Sequence, residues 1–117
     1  MFGIPEMTGQ ELARILAEAP DSIQLVDVRT PQEMAQGVIH GAELVPLHLV
    51  PVKADEWTND NRPMVIYCRT GARSAQACAF LAARTAGRQF INLRGGIVDW
   101  VRQGFGVELP PANTAFA

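Results

Sequence analysis

Hydrophobic residues recur with helical spacing near the start of the chain. In TGQELARILAEA, the spacing i, i+3, i+4, i+7 places four apolar residues on one face of a helix: Leu12, Ile15, Leu16 and Ala19. Thr8 and Glu11 form the Thr-x-x-Glu pattern of a capping box at its beginning, and Pro20 ends it. This stretch therefore predicts an amphipathic helix that buries one side.

Short apolar runs alternate with further helix signals along the rest of the chain. IQLVDV (23–28), PMVIYC (63–68) and QFINL (89–93) predict strands, and AELVPL (42–47) predicts another short one. Thr30, Pro31 and Glu33 form a second capping-box pattern at the start of a short helix that ends at Gly37, and a longer helix is predicted from Ser74 to about Ala86. GGIVDWVRQG predicts one more helix, whereas residues 48–62 predict a loop with at most a turn or two of helix.

Alternating strands and helices are typical of an α/β fold with a mainly parallel central sheet and helices on both faces. The PMVIYC strand carries apolar residues on both sides, as buried parallel strands do. A length of 117 residues is that of one ordinary domain. We therefore predict a single α/β domain over residues 1–117, with a C-terminal tail at 109–117.

Composition and charge exclude several classes of function. The chain is 48% hydrophobic and 19% charged with a formal net charge of -2, so it predicts a globular protein without a general affinity for nucleic acid or anionic membranes. It has no apolar run near the ~18 residues of a membrane helix. The N-terminus lacks the pattern of a signal peptide, which favours a cytoplasmic location. In that reducing compartment, we expect the two cysteines, Cys68 and Cys78, to be free rather than paired.

A thiol follows the most hydrophobic strand. Cys68 stands at its carboxyl end, where ligands bind in parallel sheets, and a basic loop and a helix start follow at once. Gly71 permits a positive φ, so the loop amides can curl around an anion, with Arg69 and Arg73 nearby. The helix N-terminus adds positive potential, and these features together favour a thiolate. The alternative is that Cys68 is a small buried hydrophobic residue.

Three segments resemble the rhodanese-like sulfurtransferases. CRTGARS (68–74) is similar to the active-site loop of that family, LVDVRTPQEMAQGVIHGAELVPL (25–47) to its Asp-Val-Arg, Glu and Gly-Ala-Pro segment, and NLRGGIVDWVRQGFGV (92–107) to its double-glycine and tryptophan segment. The similarity in pattern and order covers about residues 6–108. The resemblance implies one rhodanese-like domain.

The resemblance also implies a chemistry and its residues. Cys68 would attack a sulfur donor, carry a persulfide and pass the outer sulfur to a nucleophilic acceptor, without cofactor or metal. Arg69 would recruit an anionic donor such as thiosulfate, and Arg73 would close the loop. The implied acceptors are cyanide or a thiol, and the implied protein partners are a sulfur-relay protein, a thioredoxin or a cysteine desulfurase. The implied persulfide-binding loop consists of Arg69, Thr70, Gly71, Ala72 and Arg73.

Two other functions stay open at this point. Cysteine-dependent phosphatases and arsenate reductases have related loops, but with five residues between Cys and Arg, where this chain has only the four from Arg69 to Ala72. A shorter loop suits a sulfur atom better than a phosphate. A non-catalytic interaction module with the same fold is the other alternative, although retention of Cys68 favours an enzyme.

Other residue types that carry chemistry have simpler explanations. Cys78, ten residues after Cys68, is predicted to be buried in a helix among Ala75, Ala79 and Ala82 rather than to act as a second sulfur carrier. The spacing of His40 and His48 matches no standard zinc site. We expect an ion pair between Asp27 and Arg29, and packing roles for Trp57 and Trp100, with Trp57 alternatively on the rim of the site.

Overall fold

A five-stranded parallel sheet forms the centre of the protein. The computed structural model describes residues 3–111, and the strand order is β1-β5-β4-β2-β3 with every neighbouring pair parallel. This confirms the predicted α/β class and the parallel sheet. The strands are β1 (Glu6–Met7), β2 (Gln24–Asp27), β3 (Glu43–Leu44), β4 (Met64–Tyr67) and β5 (Phe90–Leu93).

Strand β1 was not predicted from the sequence. It has two residues and no apolar run, and it is extended because Glu6 and Met7 pair with Asn92 and Leu93 of β5. Such an edge strand depends on its partner rather than on its own propensity.

In the described part of the chain, five helices connect and cover the strands: α1 (Gly9–Glu18), α2 (Pro31–Met34), α3 (Val50–Ala54), α4 (Ala72–Arg84) and α5 (Gly96–Arg102). Both predicted capping boxes are present, at Thr8 and at Thr30. Single 3-10 turns lie at Pro20–Ser22 and Leu47–Leu49. Within residues 3–111, no helix combines the length and the apolarity that crossing a bilayer requires.

The prediction for α4 was wrong by two residues at each end. The helix begins at Ala72 because Gly71, with φ +117°, turns the chain directly into it. Ala72 and Arg73, predicted as loop residues, therefore belong to its first turn. It ends at Arg84 because Thr85 is already extended.

The two faces of the sheet carry separate hydrophobic clusters. Met64 and Ile66 of β4 contact one cluster, which includes residues of α3 and α4, whereas Val65 and Tyr67 contact the other, which includes residues of α1 and α5. All four residues are fully buried. The two-residue periodicity of a strand thus explains why β4 is apolar throughout, with helices on both faces as predicted.

The segment after α5 pairs with the residues that follow α2. Val38 and Glu108 exchange two backbone hydrogen bonds of 2.7 and 2.9 Å, and Nδ1 of His40 lies 2.8 Å from the Glu108 carboxylate. Of the predicted tail, residues 109–111 are described and residues 112–117 lie outside the described part of the chain.

Candidate active site

Cys68 lies directly after β4, at the carboxyl end of the central strand. Its exposed fraction is only 1%, and the loop that follows folds over it. Gly71 takes the left-handed conformation that the sequence predicted for it, with φ +117°. The first turn of α4 then directs its free backbone amides towards the sulfur.

The Cys68 sulfur is surrounded by hydrogen-bond donors. The Gly71 amide lies 3.1 Å from Sγ, and the Ser74 hydroxyl oxygen lies 3.3 Å from it. Burial by itself raises the pKa of the thiol. Hydrogen bonds from the Ser74 hydroxyl and from the amides of Ser74, Gly71 and Thr70 outweigh that effect, so the pKa of Cys68 lies below its ordinary value. The loop therefore stabilises a thiolate, and no histidine lies near Cys68 in the sequence.

Helix α5 holds the carbonyl side of the same loop. The Ile97 amide donates to the Cys68 carbonyl at 3.0 Å, and the Val98 amide donates to the Arg69 carbonyl at 3.1 Å. Because α5 binds the carbonyl oxygens of Cys68 and Arg69, the loop amides that follow can point at the sulfur. This contact requires a glycine at position 96, because a Cβ there would lie 2.4 Å from the Arg69 carbonyl oxygen.

The two arginines of the loop have different environments. Arg73 donates to both carboxylate oxygens of Glu33, at 2.7 and 2.9 Å, which joins α4 to α2. Arg69 is exposed and borders a cavity of about 200 Å³ that is also lined by Arg29 and by residues of α5. A larger cavity, of about 510 Å³, is lined by none of the loop residues, so cavity size does not locate this site.

The Arg73–Glu33 pair predicts a pH-dependent contribution to stability. The Arg73 guanidinium holds the pKa of Glu33 at about 2, against an ordinary value of 4.5. Stabilisation by this carboxylate is therefore complete above pH 4.5 and is lost as the pH falls towards 2. We expect Glu33→Gln, which keeps a cap acceptor for Thr30, to lower the free energy of unfolding at pH 6 by about 1 kcal/mol after solvent screening. Urea unfolding measures this.

The control for that experiment is Glu56→Gln, which removes a carboxylate from a more exposed pair with Lys53. It should change the unfolding free energy by less than about 0.5 kcal/mol. The difference between wild type and Glu33→Gln should shrink steadily between pH 4.5 and pH 2. A difference that is independent of pH would contradict the assigned ion pair.

Cys78 lies in the core rather than near the loop surface. It is fully buried in α4, and burial raises the pKa of its thiol to about 12. The predicted burial of Cys78 is confirmed, but two of the residues expected to be buried around it are not. Ala79 and Ala82 are exposed, and the buried α4 residues of the same cluster are Ala77 and Leu81. The helix begins at Ala72, and its buried face follows the positions 74, 77, 78 and 81.

The remaining candidates serve packing and ion pairing. Arg29 and Asp27 form the expected pair, 2.7 Å apart and buried. Trp57 is 8% exposed in the hydrophobic cluster next to α3, so it packs in the core instead of on a rim. Trp100 is buried on the other face and donates to the Gly106 carbonyl. Within residues 3–111, no group of three or more metal-binding side chains lies together, and His40 instead contacts Glu108.

Three residues of the site were missed in the sequence. Ser74, Glu33 and Asn92 all lie within the three segments that resemble the family, but none of them was assigned a role at the site. Asn92 carried a usable signal, because an amide inside the apolar run QFINL must find buried partners. It donates to the Gly71 carbonyl at 3.1 Å, and its Oδ1 lies 2.5 Å from the Ser74 hydroxyl.

Comparison with known proteins agrees with this arrangement. The sequence model of the rhodanese-like domain family matches residues 8–103 of this chain. This chain belongs to the rhodanese-like family. A sulfurtransferase of Allochromatium vinosum is 47% identical to this rhodanese-like chain over 107 residues, which are 92% of this chain and 97% of that protein.

Other similar proteins differ in how much of their own length this chain matches. The probable adenylyltransferase/sulfurtransferase MoeZ of Mycobacterium tuberculosis is 40% identical over 83 residues, which are 69% of this chain but only 21% of that protein. Among solved structures, a rhodanese-like domain protein from Staphylococcus aureus superposes with a TM-score of 0.78 at 34% identity, covering 92% of this chain and all of that one. The rhodanese fold predicted from the three sequence segments is thereby confirmed.

Proposed function

We propose that this rhodanese-like protein is a sulfurtransferase that carries sulfur as a persulfide on Cys68. The observation that carries the proposal is the buried Cys68 sulfur with the Gly71 amide and the Ser74 hydroxyl directed at it. These donors stabilise a thiolate, which is the nucleophilic form of cysteine. The resemblance to a sulfurtransferase along almost the whole chain supports the same reaction.

The reaction has two displacement steps. With thiosulfate as donor, the Cys68 thiolate attacks the outer sulfur, the sulfur–sulfur bond of thiosulfate breaks, and sulfite leaves with the electron pair. The new persulfide carries its negative charge on the outer sulfur, which we place within the amides of Arg69 to Arg73, including those of Thr70, Gly71 and Ala72. Cyanide or a thiolate then attacks that sulfur and regenerates the Cys68 thiolate. Neither step requires a cofactor, metal or general base.

The substrate class follows from the charge around the loop. Arg69 is exposed beside the cavity next to the loop, so we assign to it the recruitment of an anionic donor. Arg73 is neutralised by Glu33 and has a positioning function. Protein partners fit the same chemistry: a sulfur-relay protein, a thioredoxin or a cysteine desulfurase would exchange sulfur with Cys68. Such thiol exchange and two free cysteines favour the reducing cytoplasm.

Intact-mass measurement of the purified protein tests this proposal. We expect thiosulfate to add the mass of one sulfur atom and subsequent cyanide to remove it as thiocyanate. Loading by a persulfide-bearing protein but not by thiosulfate would identify a relay carrier. No gain from either donor, in a folded protein with reduced Cys68, would contradict the proposal. Hydrolysis of an aryl phosphate that depends on Cys68 would instead favour the phosphatase alternative.

A further inference from the structure

The Ser74 hydroxyl has one hydrogen and two acceptors within reach. Its oxygen lies 3.3 Å from the Cys68 sulfur and 2.5 Å from Oδ1 of Asn92. The Asn92 amide nitrogen donates to the Gly71 carbonyl at 3.1 Å, which fixes the side chain so that Oδ1 faces Ser74. Ser74 and Asn92 are 0% and 4% exposed, so these groups must satisfy one another.

The number of hydrogens that Cys68 and Ser74 can donate depends on whether the sulfur is a thiol or a thiolate. When Cys68 is a thiol, its hydrogen can go to the Ser74 oxygen, and the Ser74 hydrogen to Asn92, so every group is satisfied. When Cys68 is a thiolate, the sulfur and Oδ1 of Asn92 are both acceptors for the single Ser74 hydrogen. Whichever group loses it is left buried without that bond, which is costly.

We propose that Asn92 is a positioning residue that competes with the Cys68 thiolate for the Ser74 hydrogen and thereby favours states in which Sγ is uncharged. One such state is the thiol. The other is the persulfide, in which the charge lies on the outer sulfur and the Ser74 hydrogen returns to Asn92. The persulfide part of this inference rests on the proposed function, whereas the competition for the hydrogen concerns only the reduced protein.

The charged residues near the site do not change when positions 74 and 92 are altered. The charge of Arg73 in α4 interacts with Cys68, and Arg73 is paired with Glu33 of α2. The other charged groups of the elements around the loop are the buried pair Asp27 and Arg29, exposed Arg69, Arg94 paired with Glu6, Asp99 bonded to Gln103, Arg84 paired with Asp55, and exposed Arg102 at the end of α5. A difference between variants at 74 and 92 therefore reports on the hydrogen bonds.

The experiment is the pH dependence of Cys68 alkylation by iodoacetamide, followed by intact mass in a Cys78→Ser background. We expect Asn92→Ala to lower the pKa of Cys68 by about one pH unit, because the Ser74 hydrogen becomes free for the thiolate. Ser74→Ala should raise the pKa, and Ser74→Thr, which keeps a hydroxyl, should restore it. Adding Asn92→Ala to Ser74→Ala should have no further effect.

This double-variant comparison separates competition from loop damage. Asn92→Ala removes the hydrogen bond to the Gly71 carbonyl both in the protein with Ser74 and in Ser74→Ala. Any effect of that loss on the pKa of Cys68 therefore appears in both. A pKa of Cys68 that rises or stays the same in Asn92→Ala, or that falls equally without Ser74, would overturn the proposal. Asn92→Val, which suits a strand, replaces Asn92→Ala if that variant does not fold. Alkylation needs no sulfur donor, so the result is independent of sulfurtransferase activity.

Discussion

Cys68→Ser is expected to abolish sulfur loading, whereas Cys78→Ser should load normally. A serine hydroxyl in the same loop is not ionised near neutral pH and cannot form a persulfide, so the transfer rate should fall by at least roughly a thousandfold. Cys78 is buried, and its thiol has a pKa of about 12, so almost none of it is thiolate near neutral pH. Thiocyanate release from thiosulfate and cyanide, together with intact mass after loading, measures both variants.

Cys78→Ser is a matched control because it makes the same chemical change in the same protein. Its expected cost is in stability, since it places a hydroxyl in the hydrophobic cluster, and thermal unfolding of both variants separates that cost from chemistry. Sulfur loading that survives in Cys68→Ser, or that is lost in a folded Cys78→Ser, would move the reactive thiol to Cys78 and contradict the assignment.

Gly96→Ala should damage the loop although position 96 lies outside it. A Cβ at position 96 would lie 2.4 Å from the Arg69 carbonyl oxygen and 2.6 Å from that of Cys68, and the residue has φ +60°. Backbone cannot move aside as a flexible side chain can, so we expect a loss of roughly 2–4 kcal/mol in the free energy of unfolding. Displacement of the loop amides should raise the pKa of Cys68, and alkylation at neutral pH should slow about tenfold.

Gly104→Ala provides the comparison from the other end of α5. Gly104 also has a positive φ, +90°, but an added Cβ would meet nothing within 4 Å. It should cost only the strain of the left-handed conformation, about 1 kcal/mol, and leave the alkylation rate of Cys68 unchanged. Equal stability of the two variants with equal Cys68 reactivity would show that close packing of α5 against the loop does not hold the site in place.

The roles of individual loop residues follow from partners that are distant in sequence. Arg73 was expected to close the loop, and it does contact another element, but its partner Glu33 precedes it by 40 positions and belongs to α2. Ile97 and Val98 of α5 bind the loop carbonyls through their backbone amides, so the identity of their side chains does not reveal this role in the sequence. Pairings of this kind leave no local pattern, because either residue alone has an ordinary explanation.

The sequence by itself determined the α/β class, the capping boxes at Thr8 and Thr30, and the position of Cys68 between a buried strand and a helix. These features depend on neighbouring residues and on periodicity, which are local properties of the chain. Tertiary structure alone decided the extended conformation of β1 and the bonds of Ser74 with Asn92. It also decided the contact of Gly96 with the loop. Each of these joins segments far apart in the chain, and their geometry is fixed only when the sheet and both helical layers pack together.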